Sequence, residues 1–114
     1  MRRERKRICK IVDEMVTYLF SKGADDISMH IREDEKQFRI YFKSNFTDFS
    51  QEDIDKLVQR LNLKRQVAME EYYWELTGDH EVDTELELVG MMTDRAEVSV
   101  DHHTAEIILY RYKL

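Results

Sequence analysis

His80 stands among Glu81, Asp83, Glu85 and Glu87 in a chain of 114 residues. An imidazole with several carboxylates in reach has the donor set of a divalent metal site. Acidic loops of this composition are ordinarily just solvated, and no specific metal site is expected here. His102 and His103 are adjacent, and neighbouring side chains at a strand end point to opposite faces, so the two do not chelate one ion. Cys9 follows a run of basic residues that would lower a thiol's pKa. The plainer reading is a helix residue near the edge of the core. Tyr72, Tyr73 and Trp74 are consecutive aromatics, which mark a binding hot spot if exposed and ordinary packing if buried. The chain has no G-x-S-x-G, no Walker loop and no H-E-x-x-H. The residues alone therefore point to no catalytic nucleophile, no metal and no cofactor.

Composition narrows the class. Apolar residues make up 42% and charged residues 37%, with a net charge of −6, which fits one globular domain over residues 1–114 rather than a disordered polyanion. No apolar run approaches the ~20 residues of a membrane span, and no apolar stretch follows the basic start as in a signal peptide. A single cysteine excludes an internal disulfide and fits the reducing cytoplasm.

The charges are segregated. Residues 1–10 carry six basic side chains against Glu4, whereas residues 70–106 carry twelve acidic side chains against Arg95. Phosphate backbones need a basic stripe, so the acidic block argues against a nucleic-acid partner. The basic start alone could touch nucleic acid as an arm, but a solvated helix start is the simpler reading.

The elements that would position these residues follow from periodicity. Ile8, Ile11, Val12, Met15 and Leu19 recur at helical spacing, and Gly23 is a natural stop. Ile27, Met29 and Ile31 alternate with polar residues, as in a half-buried strand, with His30 on its solvent side. Asp34 to Lys36 form a turn into a second alternation at Phe38, Ile40 and Phe42. Ser50 with Asp53 is a short form of the capping box, ahead of the amphipathic run Ile54, Leu57, Val58 and Leu61. Met69, Tyr72, Tyr73 and Leu76 suggest another helix, ending near Gly78, and Leu86, Val89 and Met92 a further one. Two strands close the chain around an Asp101–Thr104 loop. The expected fold is α+β: a two-layer α/β sandwich with a mixed four-stranded sheet and helices on one face. The last strand, apolar on both faces at Ile107 to Tyr110, is expected to lie centrally.

The segment Glu14-Met15-Val16-Thr17-Tyr18-Leu19-Phe20-Ser21-Lys22-Gly23 resembles the N-box helix, E-x-x-x-N-A-x-x-H-G, of the histidine-kinase-like ATPases, the GHKL superfamily. It is closest in style to the anti-sigma-factor serine kinases. Asp83 to Met92, followed by Asp94 to Val98, resembles the family's G-x-G-L-G-L box with its helix and next strand. Phe38 to Phe49 more weakly resembles the strand leading into D-x-G-x-G-F. The matches run in the family's order, and the strand and helix that precede the N-box are missing, as in a fold shortened at its N-terminus.

The departures fall on the positions that the resemblance assigns to the nucleotide. Tyr18 replaces the asparagine that holds magnesium, and a neutral phenol is a poor ligand for a hard cation. Ser44 replaces the adenine-binding aspartate, with Phe46 and Asp48 in place of the glycines. Asp83, Glu85 and Glu87 replace the three glycines whose backbone N–H groups would approach the phosphates. One like-charge contact at about 4–5 Å costs about 3–4 kcal/mol at an effective dielectric of 20, more than about a hundredfold in affinity. Glu14 keeps the place of the family's general base, but without nucleotide it has nothing to activate.

The resemblance thus implies a non-catalytic, pseudo-ATPase domain that has lost its nucleotide and serves as a protein-interaction or regulatory module. Its partner would be a protein, such as a sigma factor or anti-anti-sigma regulator, or a second copy of itself. The alternative is an active ATP-dependent serine kinase with a reshaped pocket, in which Glu14 is catalytic. Tyr72, Tyr73 and Trp74 fall where the family has its ATP lid and could fill the vacated pocket.

Overall fold

The computed structural model describes residues 2–63, 65 and 86–113. A twenty-residue helix, α1 (Arg2–Ser21), opens the chain, and a hairpin follows, β1 (Ile27–Glu33) and β2 (Gln37–Asn45). Helix α2 (Gln51–Leu61) comes next, then the short α3 (Leu86–Met91) and a second hairpin, β3 (Arg95–Val100) and β4 (Thr104–Tyr112). Met69 to Gly78, where the spacing suggests a helix, lie outside the described residues, as do His80 and the Tyr72-Tyr73-Trp74 triplet.

The four strands form one sheet in the order β1-β2-β4-β3, so β4 is central as its two apolar faces predict. The expectation of a mixed sheet is corrected: all three ladders are antiparallel. The chain crosses from β2 to β3 over the helices, and β3 runs parallel to β2 but at the far edge. The second hairpin then folds β4 back between them, so the parallel pair never touches.

One face of the sheet carries the core. Phe38, Ile40 and Phe42 of β2 alternate inward beside Ile107 and Leu109 of β4, and all are buried. Against them pack Ile8, Ile11, Met15 and Leu19 from α1, Leu57 and Leu61 from α2, and Leu86 and Val89 from α3. Each such side chain contributes about 1.5–3 kcal/mol on burial.

Local signals set the joints. Ser50 Oγ accepts from Asp53 N at 3.1 Å while Ser50 N donates to the Asp53 carboxylate at 3.1 Å, completing the capping box. Gly23 ends the α1 turn at φ +85°, and a Cβ there would lie 1.9 Å from Thr47 Oγ1. At Gly90 a Cβ would lie 2.0 Å from the Arg60 carbonyl oxygen, so only glycine lets α3 cross the end of α2 this closely. Asp34 Oδ1 accepts from Lys36 N and Gln37 N in the first hairpin, and Asp101 Oδ1 does the same for His103 N and Thr104 N in the second.

The expected half-burial of β1 is also corrected. Ile27, Met29 and Ile31 do share the inner face, opposite Ser44, Phe42 and Ile40. Yet Met29 and Ile31 are each 48% exposed, so their side chains on this edge strand are only partly covered. His30 is exposed, as its alternation predicts, and so is Cys9. No helix among the described residues is long and apolar enough to cross a membrane.

Candidate functional site

The residues singled out in the sequence meet where the last turn of α1 faces the loop from β2 into α2. Tyr18 is on the buried stripe of α1, one turn beyond Glu14, and is 6% exposed. Its ring meets Phe49 edge-on, with centroids 6.2 Å apart, and Phe49 in turn meets Phe46 at 5.2 Å. The three rings form a chain from helix to loop, in the edge-to-face geometry that aromatic quadrupoles prefer.

Backbone contacts hold the loop in place. The Lys22 carbonyl accepts from Thr47 N at 2.9 Å and from Asp48 N at 3.0 Å, tying the end of α1 to residues 47 and 48. The Lys22 ammonium lies 5.5 Å from the Tyr18 ring centroid and 3.3 Å from Asp53 Oδ1. Asp53 is thus shared between the helix cap and Lys22. Hydrogen bonding from Ser50 N, with Lys22 beside it, holds its carboxyl below the ordinary range.

The electrostatics suit packing rather than ligation. Burial, reinforced by the Asp53 carboxylate, pushes the Tyr18 phenol up to about 12. A phenol that remains protonated throughout the physiological range offers no anionic oxygen to a hard cation. Glu14 is buried and pairs with Lys10 Nζ at 3.2 Å, one turn back along α1. Among the described residues, no group of three His, Cys, Asp or Glu side chains converges to hold a metal ion.

The remaining predicted positions divide. Ser44 is buried at the end of β2, and its hydroxyl donates to the Asn45 carbonyl at 2.7 Å. Asp48 is exposed, joined to α1 through its backbone alone among the contacts just given. Glu87 is exposed in the first turn of α3. Asp83 and Glu85 lie outside the described residues. The structure therefore brings Tyr18, Phe46 and Asp48 to one junction, with Glu14 and Ser44 flanking it.

Two further residues at this junction, both within the matched segments, carry no site role in the sequence. Phe49 links the rings of Tyr18 and Phe46, and the i, i+3 spacing of Phe46 and Phe49 ahead of the Ser50 cap was the available signal. Lys22 was legible only as a helix-end cation. Among the described residues, two surface depressions lie at one end of the sheet. One of about 270 Å³ is lined by Asp26, Ser28, Lys43, Ser44, Asn45 and Thr104. The other, of about 150 Å³, adjoins it at Lys43 and Thr104, and Tyr18 lines neither.

Compared with models of protein families, with curated proteins and with solved structures, the chain matches none.

Proposed function

We propose that this chain is a non-catalytic relative of the histidine-kinase-like ATPases that works by binding protein rather than nucleotide. The observation that carries this reading is the Tyr18–Phe49–Phe46 chain of rings, which links the residue that the resemblance aligns with the magnesium ligand to one that it aligns with a glycine of the adenine motif. The order of elements supports it. A helix, a hairpin, a helix, then a short helix and a hairpin follow the order in which the N-box, the D-x-G-x-G-F strand and the glycine box would come.

Chemistry supports it as well. Tyr18 presents a neutral phenol, Glu14 is held by Lys10, and Asp83, Glu85 and Glu87 bring like charge to any polyphosphate. What remains is a scaffold with its apolar surface unevenly covered, which is how protein-binding domains read. The implied setting is signalling or transcription control, with a sigma-factor-like or anti-anti-sigma-like protein, or a second copy, as partner.

Isothermal titration of the full chain with Mg-ATP tests the loss of nucleotide binding. The expected result is no saturable heat up to millimolar nucleotide. Saturable binding at micromolar levels would overturn the reading and favour a kinase with a reshaped pocket.

A further inference from the structure

The first edge of the sheet is unusually complete for an edge. Strand β1 pairs with β2 through seven consecutive residues with no bulge, and the chain contains no proline. Its backbone alternates strictly. Asp34 N donates to the Gln37 carbonyl and Asn45 N donates to the Asp26 carbonyl, so the even-numbered residues bond toward β2. The N–H and C=O groups of Ile27, Met29 and Ile31 therefore point away from β2, to the side where no described strand lies. On the inner face the same strand leaves Met29 and Ile31 half exposed. A regular apolar edge of this kind is a template for another strand.

We infer that the occupant of this edge is β1 of a second copy, paired antiparallel about a two-fold axis through Met29. The apolar residues of the strand are self-complementary in that register. Ile27 then faces the partner's Ile31, Met29 faces the partner's Met29, and Ile31 faces the partner's Ile27. All three are outward-bonding residues, so each pair exchanges both backbone hydrogen bonds. On the opposite face Arg32 falls across from the partner's Asp26, twice by symmetry, and both are exposed in the single chain.

The inner rows also continue without a break. Met29 sits opposite Phe42, and Phe42 opposite Ile107, so the row Ile107-Phe42-Met29 runs on into the partner's Met29-Phe42-Ile107. The result is an isologous dimer with one eight-stranded sheet. This deepens the protein-binding reading above by naming the partner, and it rests on that reading only in taking protein as the ligand.

Sedimentation equilibrium on the full chain tests it. The wild type is expected at twice the chain mass of 13.8 kDa at tens of micromolar. Met29→Lys places two like charges on the axis and is expected to give a monomer whose circular dichroism is unchanged. Asp26→Arg or Arg32→Asp alone is expected to weaken the dimer roughly tenfold, and the double reversal to restore it. A monomeric wild type, a dimer that Met29→Lys leaves intact, or a double reversal that does not rescue would each overturn the inference. None of these outcomes bears on the Mg-ATP titration, so the two readings fail separately.

Discussion

Glu4 and Arg111 form a two-pronged ion pair between residues 107 positions apart, with Arg111 Nε 2.9 Å from one carboxylate oxygen of Glu4 and Nη2 2.8 Å from the other. Arg111 is fully buried on the inward row of β4, after Ala105, Ile107 and Leu109. Its remaining arm, Nη1, donates to the Met92 carbonyl at 2.7 Å, just past the end of α3. One guanidinium therefore joins the start of α1, the end of β4 and the carbonyl end of α3, where a cation is favoured.

Removing either partner should be costly. A buried guanidinium without its carboxylate loses about 3–5 kcal/mol, and Glu4→Gln should fall near the lower end because Glu4 keeps contact with water. Arg111→Lys should not rescue, since an ammonium cannot bridge both oxygens and the Met92 carbonyl in this geometry. Urea denaturation followed by circular dichroism checks both variants. The pH dependence has a definite sign. Hydrogen bonding to Arg111 holds the Glu4 carboxyl below its usual 4.5, so its contribution is fully present above that value and is lost as acid is added through the lowered folded pKa. Glu4→Gln should flatten that acid limb, and an unchanged limb would show that the pair does not govern it.

The elements were readable because their signals are local. The Ser50–Asp53 box, the alternation of Phe38, Ile40 and Phe42, and the stop at Gly23 each depend on residues within a few positions. What failed depends on neighbours. Alternation told which face Met29 and Ile31 occupy, but not how fully they are covered there. The two hairpins were visible, but the insertion of β4 between β2 and β3, which makes every ladder antiparallel, is a property of the whole sheet. Arg111 continues an inward apolar row and reads as a misplaced charge until Glu4 is brought to it from the other end of the chain. At the candidate site, the resemblance selected Tyr18 and Phe46, yet the ring that connects them, Phe49, could be placed only by the fold.

Gly23 offers a test of how α1 is joined to the β2–α2 loop. Its φ of +85° disfavours any side chain, and an added methyl meets the Thr47 hydroxyl. Gly23→Ala is expected to cost about 1–3 kcal/mol. Adding Thr47→Ala should recover the steric part and leave the backbone part, so the two substitutions should be non-additive. Denaturation midpoints for the single and double variants measure this at constant slope. Full additivity would mean that the close approach to Thr47 does not contribute.

Tyr18 should make the protein sensitive to base. Its phenol is held up to about 12, against 10 in an unfolded chain. A group whose folded pKa is raised contributes stability that is complete below the unfolded value and is lost as pH climbs through the folded one. Stability should therefore fall between about pH 10 and 12 as the unfolded chain releases a proton that the folded chain retains. Tyr18→Phe keeps the ring against Phe49 and removes the hydroxyl, so it should shift the alkaline unfolding midpoint upward while changing neutral stability little. Absorbance near the tyrosinate band, followed through base in both proteins, should show one component that ionises only at higher pH lost in the variant. If the midpoint does not move, the hydroxyl is hydrated in the folded state, and the junction is more open to water than the packing of Tyr18, Phe49 and Phe46 implies.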